Sequence, residues 1–216
     1  MEERLCFACE DGDVVGVKQL LNNNPQINLN CENIYGWTPF WIACRNGQIE
    51  VVKFLLNDER VDINRAETEG GWTPFYIACY WGRTEVVKLL LNDERIDINR
   101  VENHFNQTPF FVACFFGHLE TVKYILASGR KVNINSINQE GQSAMDASKE
   151  KEIEEKEEEE KEKYSQIIEL LESFERDPNE TRIKLRMELG FSGKFFFLSF
   201  YMQISHSSFL SFFLDF

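Results

Sequence analysis

Cys6-Phe7-Ala8-Cys9 is the first arrangement in the chain whose residue types and spacing could do chemistry. Two thiols so placed serve zinc binding or disulfide exchange. A zinc site needs a second such pair with nearby histidine, and His104, His118 and His206 are scattered. Cys9 instead recurs as Cys44, Cys79 and Cys114 at steps of 35 residues. That regularity reads as a column of small buried side chains on neighbouring helices. Packed helices lie about 8–10 Å apart, beyond disulfide reach. The sequence has neither a glycine loop that would cradle phosphate nor a nucleophile elbow, and its many carboxylates are not paired in any predicted cleft. The expectation is therefore no catalytic residue, no metal, no cofactor and no small-molecule substrate.

Charge narrows the classes further. The 216 residues carry a net charge of −13. Residues 149–176 alone hold 12 acidic and 6 basic groups. An acidic surface repels phosphate backbones, so nucleic acid is not an expected partner. The start, Met1-Glu2-Glu3-Arg4-Leu5, does not read as a signal peptide. The expectation is an intracellular, cytoplasmic and reducing setting with free thiols.

The elements that position any site follow from an internal repeat. Trp37-Thr38-Pro39-Phe40 returns as Trp72-Thr73-Pro74-Phe75 and Gln107-Thr108-Pro109-Phe110, with a decayed copy at Gln142-Ser143-Ala144-Met145. Ala8, Ala43, Ala78 and Ala113 keep the register, as do Gly12, Gly47, Gly82 and Gly117. Each Thr can cap a helix whose first residue is the Pro, where no N–H is needed. That helix buries a Phe and an Ala-Cys pair and stops at the Gly. A second helix follows with its apolar face at Val51, Val52, Leu55 and Leu56, at helical spacing. Two short helices cannot bury these faces alone, so units must stack.

Gly36-Trp37-Thr38-Pro39-Phe40-Trp41-Ile42-Ala43-Cys44-Arg45-Asn46-Gly47-Gln48 resembles the ankyrin repeat. The resemblance covers residues 2–175 as units 2–32, 33–67, 68–102, 103–137 and 138–175. It implies an all-α solenoid with β-hairpin fingers and first helices lining a concave face. Departures from the family pattern carry their own expectations. The family's His after Thr-Pro-Leu is Trp41, Tyr76 and Phe111, which implies a lost polar tie to the turn. Its Gly after the second helix survives only at Gly129, so Asn57 and Asn92 are expected to take the left-handed closing conformation.

Beyond unit four the pattern loosens. The Glu/Lys run 149–163 reads as an insertion in unit five that extends one of its helices, exposed and laced with opposite charges. Residues 176–190 read as a short helix or linker. Residues 195–214 carry no formal charge and are rich in Phe, Leu and Ser. Three readings of 191–216 stand open: a membrane anchor, a segment packed on the stack, or translation of T-rich noncoding DNA.

The functional signal lies in positions that the stack does not need. The resemblance places finger tips and first-helix ends on the concave side. There the chain has Ile34, Tyr35, Trp37, Arg45 and Asn46, then Glu69, Gly70, Trp72, Tyr80 and Trp81. Unit four adds His104, Phe105, Gln107, Phe115 and Phe116, and unit five Gln139, Glu140 and Gln142. Core rings are already supplied by Phe40, Phe75 and Phe110. Surplus aromatics rimmed by charge mark protein-binding surfaces. The candidate contact residues are Tyr35, Trp37, Arg45, Trp72, Tyr80, Trp81, Phe105, Gln107, Phe115 and Phe116. The expectation is a non-catalytic scaffold, monomeric, binding a protein partner, with a membrane involved only through 195–214.

Overall fold

The computed structural model describes residues 1–191, all of them in helices, turns and loops. The helices are α1 (Glu2–Asp11), α2 (Val14–Asn23), α3 (Pro39–Asn46), α4 (Ile49–Leu56), α5 (Pro74–Tyr80), α6 (Thr84–Leu91), α7 (Pro109–Phe115), α8 (Leu119–Ala127), α9 (Ala144–Glu154), α10 (Glu158–Arg176) and α11 (Pro178–Glu188). α1, α3, α5, α7 and α9 pack in sequence as one layer; α2, α4, α6 and α8 form the other, which α10 and α11 complete. The segment 195–214 lies outside the described residues. Among the described residues no helix is long and apolar enough to cross a membrane.

The repeated letters do what their chemistry dictates. Thr38, Thr73 and Thr108 each accept the backbone N–H three residues on, at 3.2, 3.0 and 3.1 Å. In the decayed copy Ser143 still caps α9, and Asp146 completes a reciprocal capping box. Phe40, Phe75 and Phe110 are sealed in the core, each stabilising the stack by roughly 1.5–3 kcal/mol. Cys9, Cys44, Cys79 and Cys114 are fully buried, free and in register.

Units are joined by three polar columns. Gly12, Gly47, Gly82 and Gly117 all have positive φ and close the first helices. Over each lies a side chain from the next unit that donates to a carbonyl in the last turn of the helix. Gln48 Nε2 reaches Glu10 O at 2.7 Å, Arg83 Nε reaches Arg45 O at 2.9 Å, and His118 Nε2 reaches Tyr80 O at 3.0 Å. Tyr164 Oη does the same at Phe115 O, 3.0 Å away. So α10 takes the place of a second helix although its numbering is displaced. Burial pushes the Tyr164 phenol up to about 12, which keeps it a donor. Burial lowers His118 from its ordinary value, favouring a neutral ring whose Nε2 carries the proton.

In the second column Asn30, Asn64 and Asn99 each bridge to the following unit. Asn64 Nδ2 donates to Arg95 O at 2.7 Å while its Oδ1 accepts from Asp97 N at 2.9 Å. Asn30 and Asn99 repeat both bonds. Asn64→Ala deletes both and should lower unfolding free energy by about 1–2 kcal/mol, measured by urea titration. The third column is Arg60, Arg95 and Arg130, which donate back to carbonyls of the unit before: Pro25 O, Leu56 O, and the Leu91, Asp93 and Ile96 carbonyls.

Three expectations are corrected. Asn57 and Asn92 are right-handed, with φ of −84° and −79°. Asn57 Nδ2 instead caps Lys53 O at 2.8 Å. The Asp58–Arg60 and Asp93–Arg95 pairs then fold the turn locally, so no left-handed residue is needed there. The fingers are not β-hairpins: among the described residues there is no strand. Each is a turn closed by one backbone hydrogen bond across its base, such as Glu102 N to Gln107 O at 3.1 Å. The polar tie at the family's His position is not lost at Trp41, whose Nε1 donates to Trp72 O at 2.8 Å in the next finger.

The Glu/Lys run is where α9 ends and α10 begins, with Glu155–Glu157 between them; both helices therefore draw on it. α11 starts at Pro178 under an Asp177 cap and buries Thr181 and Leu185 against α8 and α10.

Candidate functional site

The fingers present their side chains through a common device. A polar side chain at each finger base accepts backbone N–H groups from the turn. Asn33 Oδ1 holds Tyr35 N and Trp37 N; Asn138 Oδ1 holds Glu140 N and Gln142 N. Glu67 holds Glu69 N and Trp72 N. Buried Glu102 holds His104 N, Phe105 N and Gln107 N at 2.7, 2.6 and 3.1 Å. Adjacent fingers are tied directly, Asn103 N to Gly70 O at 2.7 Å and Gln139 N to Phe105 O at 2.8 Å. Asn106, at the position held by Gly36, Gly71 and Gly141 in the other fingers, adopts φ 58°. It accepts this strain as the residue type most tolerant of it after glycine.

On this frame the rings form one connected run across units two to four. Tyr35 and Trp37 lie 4.8 Å apart between centroids, and Trp37 stacks on Trp41 at 4.8 Å. The Arg45 guanidinium sits 5.3 Å from the Trp37 ring and 5.5 Å from the Trp81 ring, joining two units by cation–π contact. Trp72 stacks on Tyr80 at 5.5 Å, and Tyr80 meets Trp81 at 5.5 Å and Phe116 at 4.5 Å. Phe115 meets Phe116 edge-on at 5.0 Å, and Lys151 Nζ from α9 lies 4.9 Å from the Phe115 ring.

The ten candidate residues thus divide. Trp37, Trp72, Tyr80 and Phe115 are half-buried and packed on the core. They are the bed of the run. Tyr35, Trp81 and Phe116 stand on that bed and expose 59%, 45% and 38% of their surfaces. Arg45 is half-buried between two rings. Phe105 is exposed but separate, touching only the His104 ring among described aromatics. Gln107 is half-buried, and its backbone closes the finger of unit four. Trp72 Nε1 is buried without a hydrogen-bond partner among the described residues. Gly70 makes its room, since an added Cβ there would come within 2.7 Å of that nitrogen.

The amino end of the run opens into a cavity of about 670 Å³ between α1, the finger of unit two and α3. Phe7, Ile34, Tyr35 and Trp37 supply its apolar wall, and Glu2, Glu3, Glu10 and Glu32 its charge. Glu32 is paired to Arg65 at 2.8 Å. The α1 contribution and Lys151 were missed by sequence reasoning. Phe7 and the α1 carboxylates precede the first finger, and Lys151 lies in the run that has no counterpart in other units. Among the described residues no three His, Cys, Asp or Glu groups converge to hold a metal.

A family model described as ankyrin repeats, in three copies, matches residues 5–102, and a single-repeat model of the same kind matches residues 105–139. Neither match reaches α9, α10 or α11. No curated protein matches the chain.

Proposed function

Because this chain belongs to the ankyrin-repeat family, whose repeats are generally protein-interaction modules, we propose that it is a non-catalytic, monomeric scaffold that grips a protein partner through its aromatic run. One observation carries the reading: Tyr35, Trp81 and Phe116 are exposed upon a bed of half-buried rings that the fold has already ordered. Rings held by stacking, cation–π contact and a fixed finger have little rotamer freedom left to lose on binding, so less of the contact energy is spent on ordering. Exposed Trp and Tyr with a half-buried guanidinium beside them make up the composition typical of binding hot spots.

The cavity at the amino end is lined by four glutamates without lysine or arginine. The partner surface that fits carries an apolar centre with basic groups on the side facing α1, since opposite potentials across an interface favour encounter and register. No reaction is assigned, because nothing in the run positions a nucleophile or a proton-transfer pair.

The test compares affinity capture by the wild-type chain and by a Trp81→Ala, Phe116→Ala double variant. The captured protein is then titrated against both. Each truncation should cost about 2 kcal/mol of binding, roughly 30-fold in Kd. Both rings are partly exposed already, so unfolding free energy should fall by only about 1 kcal/mol per ring. Equal affinity of the double variant for the captured protein would refute the assignment.

A further inference from the structure

One interval before the aromatic run begins, the same positions change sign. Arg45-Asn46, Tyr80-Trp81 and Phe115-Phe116 stand at the ends of the first helices in units two to four, and the corresponding pair in unit one is Glu10-Asp11. Glu10 lines the amino-end cavity together with Phe7 from the same helix and Tyr35 and Trp37 from the finger of unit two. We propose, resting on the reading of this stack as a partner-binding surface, that the cavity is an arginine subsite. It takes one guanidinium side chain of the protein partner between those rings and the carboxylates of Glu2, Glu3 and Glu10.

Helix stability does not account for these carboxylates as a set. Glu2 and Glu3 lie in the first turn of α1, where the helix dipole favours negative charge. Glu10 lies in the last turn, where negative charge is disfavoured and no basic residue offsets it. None of the three pairs with Lys or Arg among the described residues. Glu32, the fourth on the wall, is already taken by Arg65. The Met1 amino group apart, the lining carries no cation. The apolar side is open as well, since Phe7 and Tyr35 expose 56% and 59% of their surfaces. At about 670 Å³ the space falls within the range of ligand sites, about 300–1,000 Å³.

Flat rings and carboxylates on one wall suit arginine better than lysine. A guanidinium is planar and weakly hydrated, and its N–H donors fork outward, so it can lie against a ring while donating to a carboxylate at its edge. An ammonium is compact and strongly hydrated, and it gives up that water without the same stacking. Trp37 already shows the pairing within the chain, since the Arg45 guanidinium sits 5.3 Å from its ring. The three glutamates add a negative potential that draws in a basic segment and fixes its register. Tyr35 belongs both to the cavity and to the exposed crest, so a segment anchored by its arginine meets the run next.

The probe is the peptide acetyl-Ala-Leu-Arg-Leu-Ala-amide, titrated into the isotope-labelled full-length chain and followed by amide chemical shifts. Saturable shifts centred on Phe7, Glu10 and Tyr35 are expected. The citrulline counterpart keeps the shape and loses the charge, and should bind at least about tenfold more weakly; the lysine counterpart should bind about threefold more weakly. Glu10 is exposed, and Glu10→Gln relieves its conflict with the helix dipole, so the variant keeps its fold. In it the factor between arginine and citrulline should shrink by about threefold. Equal binding of the citrulline or the lysine peptide, an unchanged factor in Glu10→Gln, or shifts absent from the cavity would each overturn the subsite. Shifts confined to the cavity support it whether or not the Trp81→Ala, Phe116→Ala variant loses the captured protein, so subsite and run fail separately.

Discussion

Trp41→Ala should cost about 3–5 kcal/mol of folding free energy, the range for emptying a fully buried indole site. Trp41 exposes 1% of its surface, stacks on Trp37 and donates to Trp72 O in the following finger. One side chain thus fills the core of unit two, supports the first ring of the run and latches unit three. Its loss leaves a cavity, an unpaired carbonyl and a loosened finger together. Trp41→Phe separates these effects: most of the volume remains and the N–H is gone, so the cost should be about 1 kcal/mol. Urea titrations of both variants check the pair. A loss for Trp41→Ala no greater than that for Trp41→Phe would show that the ring is not the keystone described.

Glu102→Ala should cost about 2–4 kcal/mol. Three backbone N–H groups of the unit-four finger converge on this buried carboxylate, and bonds to a charged acceptor are worth about 1.5–3 kcal/mol each. The total is smaller than their sum because the freed turn can open to water. Glu102→Gln offers one carbonyl oxygen where the carboxylate offered two. Oε1 serves Phe105 N and Gln107 N while Oε2 serves His104 N, so the amide keeps two of the three bonds, as Asn33 does in its finger. The loss should be about half that of the alanine variant. Amide hydrogen exchange at His104, Phe105 and Gln107 reads the effect locally, with faster exchange at all three in Glu102→Ala and chiefly at His104 in Glu102→Gln.

The stacking was legible in the sequence because Thr-Pro, Ala-Cys and Gly recur at one interval, and each letter has a local meaning: a cap, a small contact, a left-handed stop. What the interval hid were bonds between units. Asn30, Asn64 and Asn99, and Arg60, Arg95 and Arg130, are visible as repeated letters, yet their partners are backbone atoms of a neighbouring unit that no local pattern names. Asn57 is a separate case, decided by bonds within its own unit. Its tolerance of left-handed backbone is outweighed by the cap it places on Lys53 O and by the Asp58–Arg60 pair that folds the next turn. Replacing the family's His by Trp41 looked like a lost tie because the indole's reach into the next finger depends on stacking distance, not on spacing.

Site legibility was similarly divided. The surplus rings were readable one by one, but not their sorting into a half-buried bed and an exposed crest, which depends on which ring lies under which. Arg45 joins Trp37 to Trp81 only because units two and three are neighbours. Phe105 holds the register position of Tyr35, with Gly70 and Glu140 in the other fingers, yet its ring meets only His104 and stands apart from the run.

The most direct measurement is hydroxyl-radical footprinting of the full chain, alone and saturated with its captured protein partner. Tyr35, Trp81 and Phe116 should lose most of their oxidation on binding, while Met187, exposed on α11, should keep its own. Protection at Met187 with the three rings unchanged would place the partner on the second-helix layer and contradict the account.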